Sequence, residues 1–332
     1  MTTQPNPNAA ALMGALVADA ATLGVHWIYD PARIAKVAGE NPAFVPINAA
    51  NFEGVPAYFA HAARNDGDFS QYGEVLALAI RSIAQNDGFD VAAYQDAFVA
   101  HFGPGGSYQG YIDRPTRGTL ENIAAERRTP SGIDDDQHPA LATLPAIVAR
   151  YSGTTSFAPQ IKAAMQVTNV NAAADHYTSI YTDLLADILT GTNLQTALKS
   201  AAAREPVLQA ALDASEHNST EYGATTGRAC HLHEGMALSF HILSRTDSYQ
   251  SAVEANILAG GDNCGRALIV GSLAGAAYGL SSIPLEWVLA TNDAPKIWPF
   301  VKKSRSKRIK ITSGTLSLCN ADQARPKFAQ TS

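Results

Sequence analysis

Cysteine is nearly absent from this chain of 332 residues: Cys230, Cys264 and Cys319 are all it has, and no CxxC occurs. Thiols this few and scattered exclude a disulfide framework, and the simplest compartment for them is the reducing cytoplasm. Charge is sparse too. Asp, Glu, Lys and Arg make up 16% of the residues, and the formal net charge is −6. A nucleic-acid-binding body needs clustered cations to neutralise phosphates, so no nucleic-acid partner is expected, although one nucleotide in a pocket is compatible. The longest apolar run, 267–280, is 14 residues and glycine-rich, too short to span a bilayer, so no membrane partner is expected. The opening MTTQPNPNAA carries no positive charge ahead of its apolar stretch and does not read as a secretory leader. Also missing are strand–helix alternation, a GxGxxG after a strand, a GxSxG elbow and a repeat of fixed period. Dinucleotide-binding α/β folds, nucleophile-elbow hydrolases and solenoids are thereby set aside.

What the chain has is alanine in helical register. Apolar residues make up 46%, much of it alanine, whose side chain loses no entropy in a helix. The spacing predicts a helix over 9–23, with Asn8 as N-cap and Gly24 at the stop. Further helices are expected over 74–85, 91–102, 171–190 (closed by Gly191), 194–215, 235–244 and 263–280. In the last of these Ala267, Gly271, Gly275 and Gly279 recur every four residues on one face, a row that lets another backbone approach closely. Long loops at 39–72 and 103–136 are rich in Gly, Pro, Asn and Asp, and loops of that length in a helical domain are often functional. The expected organisation is one all-α domain over 1–300, then a basic, solvated tail over 301–332 that begins with KKSRSKRIK.

Four clusters carry chemistry. Gly260-Gly261-Asp262-Asn263-Cys264-Gly265-Arg266 stands just before the small-residue helix. Asp262 can cap that helix and pair with Arg266 one turn on, or face a pocket and hold a cation. Cys230-His231-Leu232-His233-Glu234 offers donors that suit zinc, yet no second pair lies at finger spacing. Its histidines read equally as ordinary residues or as pocket-lining hydrogen-bonding groups. His26-Trp27-Ile28-Tyr29-Asp30 offers a stacking surface for a base or a plain hydrophobic plug. Asp134-Asp135-Asp136 is an exposed acidic loop or a cation-seeking one.

The run GGDNCGRALIVGSLAGAAYGLSSIPLEW (260–287) is similar to the C-terminal signature of ADP-ribosylglycohydrolases. In that family GGD-T-D-T precedes an alanine/glycine helix, a YG turn, IP and a tryptophan. The N-terminal stretch GALVADAATLGVHWIYD (14–30) resembles the family's opening helix, G-x-x-x-G-D-A-x-G. GYIDRPTRGTLENI (110–123) and SGIDDDQHPALATLPAI (131–147) resemble the middle of its fold. The resemblance implies an all-α orthogonal helical bundle with one central cleft that holds two Mg²⁺ ions beside ADP-ribose. It implies hydrolysis of a glycosidic bond at the ribose of an ADP-ribosylated substrate. The transition state is oxocarbenium-like and is stabilised by a nearby carboxylate.

Carried over residue by residue, the resemblance makes Asp262 the main catalytic residue, with Glu74 or Asp19 assisting. Ser70, Gln71, Tyr72, Asn263, Cys264 and Arg266 would line the pocket, joined by Asp136, Gln137 and His231. The family's T-D-D-T reads Ser70-Gln71-Tyr72-Gly73 here, and in the C-terminal stretch the second aspartate is Cys264 and the last threonine Gly265. Asn169 stands where active members tend to carry histidine. Only Asp262 and Ser70 keep metal-ligand chemistry at the family's places. Mg²⁺ takes about six oxygen ligands in near-octahedral geometry, so one carboxylate and one hydroxyl fall short of two such shells. Two readings stand: an ADP-ribosyl hydrolase with a rebuilt site, or an inactive homologue that binds a ribosyl nucleotide or serves as a scaffold.

Overall fold

The first helix, α1 (Pro7–Thr22), is almost wholly buried along its length. Asn6 caps it by accepting from the Ala9 amide, and Pro7 takes the first turn, where a missing N–H does no harm. The cap is thus two residues earlier than the expected Asn8. Instead of stopping at Gly24, the helix tightens into a 3₁₀ turn over Leu23–Val25. The computed structural model describes residues 6–302; most of the predicted basic tail, with Cys319, lies outside them.

Next come α2 (Pro31–Ala38), α3 (Gln71–Asn86), α4 (Val91–Phe102), α5 (Arg114–Ala124), α6 (Leu144–Tyr151) and α7 (Phe157–Met165). Then follow α8 (Ala172–Leu189), α9 (Leu194–Ala202), α10 (Pro206–Asp213), α11 (Ser219–Thr226) and α12 (Leu232–Arg245). The last are α13 (Tyr249–Ala259), α14 (Asn263–Tyr278), α15 (Leu285–Ala290) and α16 (Ala294–Val301). Among the described residues no strand forms; the extended contacts are isolated bridges at Ile28–Ala57, Ile133–Asn169 and Gln137–His231. The helix expected over 194–215 is two helices. Pro206 cannot donate to the preceding turn, so a new helix starts there under a Glu205 cap.

The predicted glycine row finds its partner in α1. A Cβ built on Gly271 would strike the Gly14 carbonyl, one on Gly275 the Ala10 carbonyl, and one on Gly14 the Gly271 carbonyl. The two backbones therefore run against each other with no side chain between, and Tyr249 Oη seals the seam by donating to the Gly14 carbonyl at 2.7 Å. By length and composition Pro7–Val25 could cross a membrane, but 94% of it is buried among the other helices. It is the core helix of the bundle. The hydrophobic core spreads outward from this pair as one connected cluster, with α3 and α6 packed on α1, and α8, α12 and α13 on α14.

The seam also fixes the positions of its ends. α13 ends on two consecutive left-handed glycines, Gly260 (φ 72°) and Gly261 (φ 68°), before Asp262 starts α14. Side chains with a Cβ resist that conformation, so the double glycine is required by the turn. The turn is held by the segment after α1: the Gly261 amide donates to the Ile28 carbonyl at 2.8 Å, and the Trp27 amide to the Gly261 carbonyl at 2.9 Å. His26 and Asp262 are brought together by these bonds.

Candidate functional site

Asp262 is fully buried at the N-terminus of α14. Its Oδ1 accepts from the Gly265 amide at 3.3 Å, so it caps the helix. The same oxygen accepts from His26 Nε2 at 2.8 Å. Oδ2 accepts from His138 Nδ1 at 2.6 Å and from the Tyr72 hydroxyl at 3.1 Å. Burial alone would raise this carboxyl, but His138 and His26 outweigh it and hold Asp262 well below the usual carboxylate range. A carboxylate only accepts, so both imidazoles present N–H to it. His26 Nδ1 then accepts from His61 Nε2, 2.7 Å away. Burial lowers His26, and lowers His61 further.

The expected meeting of the Asp262 loop with the Ser70–Glu74 segment is present. Ser70 caps α3 through the Tyr72 amide at 3.1 Å. Its hydroxyl donates to Asp19 Oδ1 at 2.5 Å and its amide to Asp19 Oδ2 at 2.8 Å. Burial raises Asp19 to about 7 against the pull of those two bonds. Gln71 Nε2 donates to Asp113 Oδ2 at 2.6 Å, and the Asp113 amide returns a bond to Gln71 Oε1. Asp113 is pushed up by burial to about 6.

The other predicted residues are placed differently. Glu74 faces away from Asp262 and is held by Arg64 at 2.7 Å and His101 at 3.1 Å. Arg266 does not line the cleft or pair with Asp262. Its guanidinium is buried against Asn256 and the Arg228 and Gly260 carbonyls, bracing the double-glycine turn, and burial lowers it to about 10. Asn263 turns toward the end of α13, with its side-chain amide 3.4 Å from the Ile257 carbonyl. Cys264 is buried against the Asp19 carbonyl, and burial holds its thiol well above the usual range. Asp136 and His231 pair with each other at 2.8 Å, half-exposed, and Gln137 bridges to His231 through its backbone. Each aspartate of the acidic triplet has its own donor: Asn171 for Asp134, Arg114 for Asp135, His231 for Asp136. Asn169 is buried and donates to the Asp135 carbonyl.

Over this network lies an aromatic cover. Trp27 holds a left-handed backbone (φ 66°), and its ring centroid is 4.3 Å from that of His26 and 4.9 Å, edge-on, from that of Tyr111. Trp27 itself is half-buried, with one side on His26 and His61 and its edge toward Tyr111. The space left among His26, Trp27, His61, Ser70, Gln71, Tyr72, Tyr111 and Asp113 is about 10 Å³, room for about one water.

The oxygens that the family pattern would offer to Mg²⁺ are engaged within the protein. Both oxygens of Asp262 and of Asp19 already accept protein N–H or O–H groups, and the Ser70 hydroxyl faces Asp19. Among the described residues no group of three or more His, Cys, Asp or Glu is arranged to hold a metal, which applies to the Cys230–Glu234 cluster as well. Reading the sequence missed His138, His61 and Asp113. A signal for His138 was present: it stands in the quoted middle stretch, and Gly265, in place of threonine, leaves room for its ring.

Similarity to known proteins agrees with this architecture. Crystallin J1A of Tripedalia cystophora is 28% identical over 313 residues, covering 89% of this chain and 94% of its own length. Crystallin J1B of the same animal is 27% identical over 300 residues, covering 85% and 91%. A solved ADP-ribosylglycohydrolase-related protein complex superposes with a TM-score of 0.65 at 19% identity, over 90% of this chain and 96% of that one, and shares the fold. The family profile described as ADP-ribosylglycohydrolase matches residues 8–312. With the helical bundle and the signature helix at its centre, this match shows that the chain belongs to the ADP-ribosylglycohydrolase family.

Proposed function

We propose that this chain is a non-hydrolytic member of its family, a helical scaffold whose cleft is closed by its own side chains. The observation that carries this is the size of the space beside Ser70 and Tyr72, about 10 Å³. Small-molecule sites run to several hundred Å³, and an ADP-ribose moiety needs a cleft of that order. Trp27 and His61 stack against each other beside this space, and the Asp262 oxygens already accept from His26, His138, Tyr72 and the Gly265 amide. The likeness to proteins named crystallins is in keeping with a scaffold.

The hydrolase reading has one observation in its favour. Asp113 lines the space beside Ser70, Asp19 lies behind it on Ser70, and burial raises both toward neutrality, as suits a general acid. On that reading Trp27 swings out to admit an ADP-ribosylated side chain. One assay decides between them: the full chain with ADP-ribosylated arginine and serine peptides, with and without Mg²⁺ or Mn²⁺, scored by released ADP-ribose, beside a thermal shift with free ADP-ribose. No release and no shift are expected. Release above a heat-killed control, abolished by Asp262→Asn, would replace the scaffold reading with the hydrolase.

A further inference from the structure

Both stretches that depart from the family's pattern end in glycine where the pattern has threonine: Gly73 in the first turn of α3 and Gly265 in the first turn of α14. Neither has a positive φ, so the backbone does not ask for glycine. Glycine is also the poorest helix former after proline. The space around each explains it. A Cβ on Gly265 would strike the His138 ring, and so would one on Gly235. A Cβ on Gly73 would strike the Asp19 carboxylate.

We infer that this chain has exchanged the family's cations for its own N–H and O–H donors: Gly265 and Gly235 form a socket for His138, Gly73 forms one for Asp19, and in these seats Asp262 receives His138 and His26, and Asp19 receives the Ser70 hydroxyl and amide, as the partners that metals would otherwise supply. The donors match the acceptors. His138 Nδ1–H and His26 Nε2–H reach opposite oxygens of Asp262, and the Ser70 hydroxyl and amide reach opposite oxygens of Asp19. His61 Nε2–H fixes which nitrogen of His26 carries the proton. The inference rests on the closed-cleft reading, but turnover and socket are measured separately, so either can fail alone.

The test is a double-mutant cycle on the full chain with melting temperature as readout. Alanine normally improves a helical glycine position. Here Gly265→Ala lowers the melting temperature by about 4 °C or more, and in a His138→Ala background the loss shrinks to half or less. Gly73→Ala behaves likewise against Asp19→Ala. If Gly265→Ala fails to fold alone yet folds beside His138→Ala, the socket stands. Equal losses in both backgrounds, or failure to fold in both, overturn it. Calorimetric titration with Mn²⁺ gives a second readout: no saturable site sensitive to Asp262→Asn is expected, and finding one overturns the exchange.

Discussion

The middle and one end of the antiparallel α1–α14 pair solve the same problem of burial by opposite means. In the middle, Gly14, Gly271 and Gly275 remove side chains so that two backbones touch, and a hydroxyl from Tyr249 enters the contact. At the end where α1 stops and α14 starts, Asp19, His26 and Asp262 are just as buried, but each is kept there by polar partners. The apolar seam tolerates no added atom. The polar cage tolerates no removed one, because a donor stripped of its acceptor in a dry interior costs about 1–3 kcal/mol.

The largest expected effect breaks the seam. Gly271→Val would put two methyl groups into the Gly14 carbonyl and the Ala18 side chain. Overpacking typically costs about 1–3 kcal/mol, and here the obstacle is backbone in two central helices, which cannot rotate aside. A loss above about 3 kcal/mol is expected, out of a total that for most proteins is about 5–15. Denaturant unfolding checks it, or the absence of native circular dichroism if the variant does not fold. A stability near wild type would mean that the helices slide freely and that the seam does not position Asp262.

Next comes the cage. Asp262→Ala strands the N–H groups of His26 and His138, the Tyr72 hydroxyl and a helix amide. Leaving buried donors without an acceptor costs about 1–3 kcal/mol, and a lost cap about 1. A loss of about 3 kcal/mol is expected, with Asp262→Asn costing less because one acceptor oxygen remains. Chemical denaturation of both variants gives the order. If alanine proved no worse than asparagine, the imidazoles would be reaching water, and the cleft would be open.

The seam was legible in the sequence and the cage only in part. Residues every four positions along 267–279 announce a flat helical face whatever packs on it, so period alone was enough. Asp262 and Ser70 were legible through the motifs that carry them. His61 was not, because it acts through one contact made across the fold and nothing local distinguishes it from a core histidine; for His138 the one signal was Gly265 in place of threonine, which means something only once the two segments are known to meet. Arg266 misled for a related reason. Its sequence neighbour Asp262 suggested a pair, but the left-handed turn aims the Gly260 carbonyl at the guanidinium, and a buried cation takes the nearest oxygens. The break at Pro206 was visible in the residues, and alanine periodicity on both sides masked it.

The smallest expected effect sharpens the comparison most directly. Tyr249→Phe and Tyr72→Phe each delete one buried hydroxyl and nothing else, the first from the seam and the second from the cage. At the seam, the Gly14 carbonyl loses its side-chain donor, and the helix bond from four residues on still satisfies it. The net worth of an ordinary buried hydrogen bond is about 1 kcal/mol, and a loss of that order is expected. At the cage the bond is longer, 3.1 Å, and Oδ2 keeps the His138 donor at 2.6 Å. Bonds to a charged group are worth more, about 1.5–3 kcal/mol, so a carboxylate that depended on Tyr72 would show the larger loss of the two. If instead the imidazoles already satisfy it, Tyr72→Phe costs less than Tyr249→Phe. We expect that second order, measured as paired urea midpoints at constant slope. The reverse order would mean that Asp262 is short of donors, leaving it open to the water or ion that its two histidines are held to exclude.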